Sequence, residues 1–171
     1  MRASYREDGT VSTDDDFTRR ARTVSRRVIR GFNQDALRHA RHESGFAQTE
    51  VARLAKIGTE TLRRWESGTA SPQVDLLARV AEILGVAISD LVRVPETERY
   101  PGDWRVLRGM TQPQLGAKAG ITTQTVSCVE RGVISLSDSV AQKMSAALGI
   151  SESELRAAHA RARNRPPGAP A

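Results

Sequence analysis

A chain of 171 residues, 39% hydrophobic but only 4% aromatic, has room for one ordinary domain or two small ones with modest cores. Its net charge of +6 suits a polyanionic partner, and without any apolar run of about 18 residues or an uncharged N-terminal stretch it is expected neither to span a membrane nor to be secreted. One cysteine, Cys128, and histidines scattered at positions 39, 42 and 159 exclude an internal disulfide and a metal cluster of ordinary spacing.

Residues 1–31 carry eight arginines against five acids. Positions 1–16 are polar and acidic and are expected to be disordered. From Phe17 onward, Ala21, Val24 and Val28 fall at helical spacing among Arg19, Arg20, Arg22, Arg26, Arg27 and Arg30. That pattern fits either a partly formed, solvated helix or a basic arm that follows a phosphate backbone.

Between residues 32 and 92 apolar positions return every three or four residues, which predicts five short helices at about 34–43, 48–55, 59–66, 73–84 and 87–92. Asn33 is placed to cap the first, and Ser71-Pro72 offers a cap followed by proline at a first helical position. Residues 93–100 read as a linker. The nine residues from Arg93 to Pro101 reach roughly 30 Å when stretched. Five more helices are expected in the segment 101–165, at about 102–108, 112–119, 123–130, 136–148 and 152–163. Thr111-Gln112-Pro113-Gln114 has the form of a capping box, in which Thr and Gln satisfy each other's backbone amides. Gly120 suits the left-handed turn between the second and third of these helices, and Gly85 and Gly149 end the fourth helix of each set. Arg156, Arg161, Arg163 and Arg165 extend the last helix until Pro166-Pro167 stops it, and residues 166–171 are expected to be a disordered tail.

The two sets are copies of one another. At an offset of 64 the sequence matches itself without a gap, so that Arg41, Gly45, Gln48, Thr59, Thr61, Glu66 and Gly68 recur as Arg105, Gly109, Gln112, Thr123, Thr125, Glu130 and Gly132. Val51, Leu62 and Trp65 meet Leu115, Val126 and Val129 in the same register. Helical solenoids repeat at about 34 to 47 residues, so a unit this long is a whole small domain. The first copy has weaker local signals: Lys56 stands in place of Gly120, Ala47 in place of Thr111 and Gly58 in place of Thr122. Loss of one side-chain cap costs about 1 kcal/mol, so the first domain is expected to melt first.

Two helices joined by a tight turn, the first opened by Gln and the second rich in Thr, form a helix-turn-helix pattern. Residues 33–92 resemble the phage repressor and Cro (XRE-type) DNA-binding domains in Ala47-Gln48-Thr49-Glu50-Val51-Ala52, Leu62-Arg63-Arg64-Trp65-Glu66-Ser67-Gly68 and Leu84-Gly85-Val86. Residues 97–156 resemble them again in Met110-Thr111-Gln112-Pro113-Gln114-Leu115-Gly116, Ile121-Thr122-Thr123-Gln124-Thr125-Val126, Glu130-Arg131-Gly132 and Leu148-Gly149-Ile150. The resemblance implies an all-α protein of two tandem five-helix, lambda-repressor-like domains that binds double-stranded DNA. Helices 59–66 and 123–130 are then the readers, since an α-helix fits the major groove, where each base pair displays its own donors and acceptors.

The DNA-binding residues so implied are Thr59, Glu60, Arg63 and Arg64 in the first reader and Thr123, Gln124, Ser127 and Cys128 in the second. Arg63 or Arg64 can bond a guanine edge, and Gln124 an adenine edge. Gln48 and Gln112 resemble the glutamine with which the family grips phosphate and braces a reading residue, and Arg131 is a candidate phosphate contact. Glu60 either accepts a hydrogen bond from cytosine or repels the backbone. Cys128 is either a redox switch or a small side chain suited to a DNA face. Leu62, Trp65, Val126 and Val129 are assigned to the core by their helical spacing, and Glu66 and Glu130 resemble the family's structural acids, which implies pairing with Arg41 and Arg105 and no contact with DNA.

The reading that follows is a sequence-specific transcriptional regulator of the repressor kind, working in a reducing cytoplasm. No cofactor, metal or small-molecule ligand is indicated. No nucleophile and base, paired carboxylates or glycine-rich phosphate loop stands at a catalytic spacing, so the chain is not read as an enzyme. The alternative is an antitoxin-like or co-regulator module that turns one domain to a protein partner. Residues 32–92, with seven basic residues against eight acids, give that view its support. A homodimer remains open, but two unlike readers imply an asymmetric composite operator.

Overall fold

The computed structural model describes residues 28–166. The acidic stretch, most of the arginine-rich segment and residues 167–171 lie outside the described residues, as do the expectations that fall on them. The first domain comprises α1 (Gln34–Ser44), α2 (Gln48–Ala55), α3 (Thr59–Glu66), α4 (Val74–Leu84) and α5 (Ile88–Leu91). After a 3-10 turn at Glu96–Glu98 the second comprises α6 (Pro101–Leu107), α7 (Gln112–Ala119), α8 (Thr123–Arg131), α9 (Asp138–Leu148) and α10 (Glu152–Arg163). The architecture is all-α, with two tandem five-helix domains.

The helical period accounts for both cores. Leu37, Val51, Leu62, Trp65, Leu77, Val80 and Leu91 form one buried cluster, and Leu115, Val126, Val129, Met144, Leu148 and Leu155 form the other. Complete burial of each such side chain contributes roughly 1.5–3 kcal/mol, which is what holds helices of eight to eleven residues in place.

Capping follows the sequence with two corrections. Asn33 Oδ1 accepts the Ala36 amide at 2.9 Å, and Thr111 and Gln114 bond each other's backbone amides. Ser71-Pro72, however, does not open α4. That helix starts at Val74 with Gln73 in the cap position and no side-chain cap, because Ser71 Oγ instead accepts the backbone amide of Ile29 at 3.1 Å. The incoming segment brings that amide into the interior, where it needs an acceptor. Likewise α9 begins at Asp138 and not near 136, since Ser137 provides its cap by accepting from Val140.

The turns between the helix-turn-helix elements differ as the two copies differ. Gly120 closes α7 in the left-handed conformation, and Lys56 is driven into the same region at φ 55°, the one non-glycine residue with positive φ among those described.

The segment after α5 is not a stretched tether. Val92 and Val94 are buried, Val92 pairs with Phe32 in an isolated antiparallel bridge, and the Arg93 amide donates to Gly31 O at 2.9 Å. The domains then meet directly. Val106 and Leu107 of α6 pack against the first core, and a Cβ at Gly109 would lie 2.9 Å from Ile88 Cδ1 and 3.0 Å from Ala78 Cβ. Among the described residues no helix is long and apolar enough to cross a membrane, and no three His, Cys, Asp or Glu side chains are grouped to hold a metal.

Candidate nucleic-acid interface

The readers are amphipathic for a simple reason. Burying Leu62 and Trp65 turns Thr59, Glu60, Arg63 and Arg64 of α3 outward, where all four are exposed. In α8, burial of Val126 and Val129 leaves Thr123, Gln124 and Arg131 exposed, with Ser127 and Cys128 half-buried.

Beneath each reader lies the same polar network. Arg41 Nε and Nη2 donate to Glu66 Oε1 and Oε2 at 2.6 and 2.9 Å, and Arg41 Nη1 donates to Phe46 O at 3.2 Å. Gln48 Nε2 then donates to Glu66 Oε2 at 2.8 Å. In the second domain Arg105 donates to Glu130 at 2.5 and 3.1 Å and to Met110 O at 2.7 Å, and Gln112 reaches Glu130 Oε2 at 2.7 Å. Glu66 and Glu130 are only 4% and 2% exposed. Burial acts to raise the pKa of Glu66, but hydrogen bonds from Arg41 and Gln48 outweigh it and hold the carboxyl below its ordinary value. An ion pair so enclosed must be fully bonded to be tolerated, and its bidentate geometry locks α1, α2 and α3 together.

This arrangement adds something that residue-by-residue reading had missed. The side-chain nitrogens of Gln48 and Gln112 are turned to a carboxylate, so each glutamine couples the start of one helix to the end of the reader. The signal was present in the repeat, which preserves the 18-residue separation of Gln from Glu and the 25-residue separation of Arg from Glu. At the start of α7 Pro113 has no amide hydrogen and Thr111 takes the amide of Gln114, which leaves that of Gln112 to face an anion, whereas α2, without a side-chain cap, opens with the amides of Gln48 and Thr49.

Electrostatically the two readers are unlike. Arg63 is held by Glu60 on its own helix, with Nε at 2.9 Å and Nη2 at 2.7 Å from Oε2, so the first reader largely neutralises one of its two arginines. The exposed face of α8 carries no acid. Arg131 folds back along it, with Nε bonded to Ser127 O at 3.2 Å and Nη2 lying 3.8 Å from Cys128 Sγ. Gln124 Nε2 approaches the same sulfur at 3.6 Å. Two arginines near the C-terminus have structural partners instead. Arg156 pairs with Asp138 at 2.6 Å, and Arg161 donates to the Arg99 carbonyl at 2.7 and 3.0 Å.

Two compact domains, each presenting a braced, solvent-facing polar helix behind a tight turn, define a tandem helix-turn-helix DNA-binding protein. A family model described as helix-turn-helix matches residues 37–91 and again 103–155, more than half of the chain. The cryptic phage CTXphi transcriptional repressor RstR of Vibrio cholerae is 31% identical over 81 residues, spanning 46% of this chain and 73% of that protein. The chain belongs to the helix-turn-helix family of the phage repressor and Cro (XRE) type, as a DNA-binding transcriptional regulator.

Proposed function

We propose that the protein is a cytoplasmic repressor that holds an asymmetric site on duplex DNA, with α3 in one major groove and α8 in a neighbouring one. The observation that carries this reading is a pair of readers braced by the same Arg–Glu–Gln network and different in their exposed faces. In the first, Arg64 reads a guanine edge and Thr59 meets a thymine methyl or a phosphate, while Glu60 holds Arg63 against the same face. In the second, Gln124 reads adenine, Thr123 takes the place of Thr59, and Ser127 and Cys128 lie beside them. Gln48 and Gln112 stand at helix starts that receive phosphates, and Arg131 adds a phosphate contact.

One chain thereby performs the task usually given to a symmetric dimer. Occupying one or two turns of DNA excludes polymerase from an overlapping promoter. Selection from random duplex DNA tests the proposal, the expected product being a bipartite motif without a two-fold axis. A perfect palindrome would instead mean that two chains pair and only one domain of each reads; recovery of no motif would refute sequence-specific reading altogether. Arg64→Ala and Gln124→Ala are each expected to cost about 1–3 kcal/mol at their own base position and to leave the other half-site unchanged.

A further inference from the structure

The chain enters the first domain along the face that the second domain covers. Ile29 is buried in the first core with its amide held by Ser71, and Gly31 accepts the backbone amide of Arg93. Between these two anchors the side chain of Arg30 crosses to the other domain. Its Nη2 bonds Asp103 Oδ2 and, at 2.7 Å, the Glu98 carbonyl, and its Nε lies 3.4 Å from Asp103 Oδ1. The guanidinium also stacks 4.6 Å from the centroid of the Tyr100 ring. Asp103, only 8% exposed and in the first turn of α6, accepts the Tyr100 amide as well, at 2.8 Å.

The same junction is bonded from the far end of the chain. Arg161 of α10 holds the Arg99 carbonyl, Arg99 itself stacks 4.4 Å over Trp104, and Arg165 lies 5.8 Å from the Tyr100 ring. None of this is inherited from the duplicated module. At the 64-residue offset the first domain has His39 where the second has Asp103, and Ala36 where it has Tyr100. The clamp is therefore specific to the junction. The apolar contact of Val106 and Leu107 is non-directional and would permit rocking, whereas a forked, charge-assisted bond to a buried carboxylate fixes an orientation.

We propose that Arg30 is a positioning residue for DNA reading: by clamping the first turn of α6 to the first domain it sets the distance between α3 and α8, and so restricts the protein to one half-site spacing. The consequence for DNA rests on the function proposed above, but the clamp itself does not. A flexible junction would accept a range of spacings at similar affinity; a fixed one penalises every spacing but its own.

The test has two arms on the full chain. In the first, spin labels at Glu82→Cys and Gln142→Cys, both exposed and one in each domain, report the inter-domain distance, with Cys128→Ser in every protein compared. The parent gives one narrow distribution; Arg30→Ala at least doubles its width, Asp103→Asn widens it from the other side of the contact, and Arg30→Lys, which keeps the charge but not the fork, falls between. A parent that is already broad, or an Arg30→Ala protein as narrow as its parent, overturns the clamp. In the second arm, unlabelled proteins select from DNA in which the two half-motifs are separated by varied numbers of base pairs. The parent recovers one spacing, and Arg30→Ala recovers several within about threefold of each other. An unchanged single spacing in Arg30→Ala overturns its role in specificity. Failure of the parent to recover any motif sinks the DNA reading, and the distance arm still decides the clamp.

Discussion

Glu60 and Glu66 stand on the same short helix and do opposite things. Glu66 is buried and bonded three times by Arg41 and Gln48, whereas Glu60 is exposed and holds Arg63 in a surface pair. Exposed pairs of this kind contribute at most about 1 kcal/mol, so Glu60→Gln is expected to leave folding nearly unchanged. It frees one arginine toward phosphate. Binding to duplex DNA should tighten, and the slope of log affinity against log salt should steepen by about 0.9, as read by fluorescence anisotropy over a salt series. An unaltered slope would mean that Arg63 never approaches DNA.

His159 supplies the pH dependence. It is buried on α10, with Nε2 2.9 Å from the Ile134 carbonyl; burial lowers its pKa most, the charges of Arg163 and Arg156 lower it further, and the bond to Ile134 offsets part of this. The unfolded chain, with a histidine near about 6.5, therefore takes up the proton first as pH falls. Stability from this residue is complete above that pH, declines as pH falls toward the lowered native value, and levels off below it. His159→Gln retains a donor and should flatten that decline in urea midpoints measured between neutral and mildly acidic pH. A decline equal to the parent's would assign the proton to another group.

Among the elements, the two helix-turn-helix units differ mainly at their ends. In the second domain Thr111, Thr122, Ser137 and Ser151 each accept a backbone amide of the helix they open. In the first, α2, α3 and α4 open at Ala47, Gly58 and Gln73 without such a bond, and Lys56 bears a left-handed backbone. Lys56→Gly relieves that strain and Ala47→Thr restores a cap, each stabilising the first domain by about 1 kcal/mol. Hydrogen exchange should find the first domain's amides the less protected in the parent and closer to those of the second in the double variant. Lower protection of the second domain would refute this ranking.

Helix positions were legible in the sequence because a buried face recurs every three or four residues and needs only near neighbours to specify it. Ser71-Pro72 was misleading for the complementary reason. Its hydroxyl is claimed by Ile29, 42 residues away in the chain, and no local pattern records that.

At the scale of the molecule, the domains are joined by packing and not by reach. Gly109 and its repeat partner Gly45 allow the junction to be isolated, since both have positive φ, 67° and 73°, but a Cβ at Gly45 meets nothing within 4 Å. Gly45→Ala and Gly109→Ala should therefore share a backbone cost of about 1–2 kcal/mol, and Gly109→Ala should add a collision with Ile88 and Ala78. Calorimetry is expected to find Gly109→Ala lowering the unfolding midpoints of both domains, since the contact it disrupts is shared by both, and Gly45→Ala lowering that of the first domain alone. Equal behaviour of the two variants would mean that the domains are not coupled through this contact.

The sequence by itself determined the duplicated module and the ten helices of its described residues, because each is written in short-range periodicity or in its recurrence 64 residues later, and the resemblance those residues carry pointed to the two readers and the Arg–Glu pairs. The tertiary structure alone decided that Ser71 accepts the amide of Ile29, that Val94 of the joining segment is buried in the first core, and that Arg30 reaches Asp103 across 73 residues of chain. These depend on groups brought together by the folding of two separate cores, and a contact of that kind leaves no period, repeat or spacing in the chain that makes it.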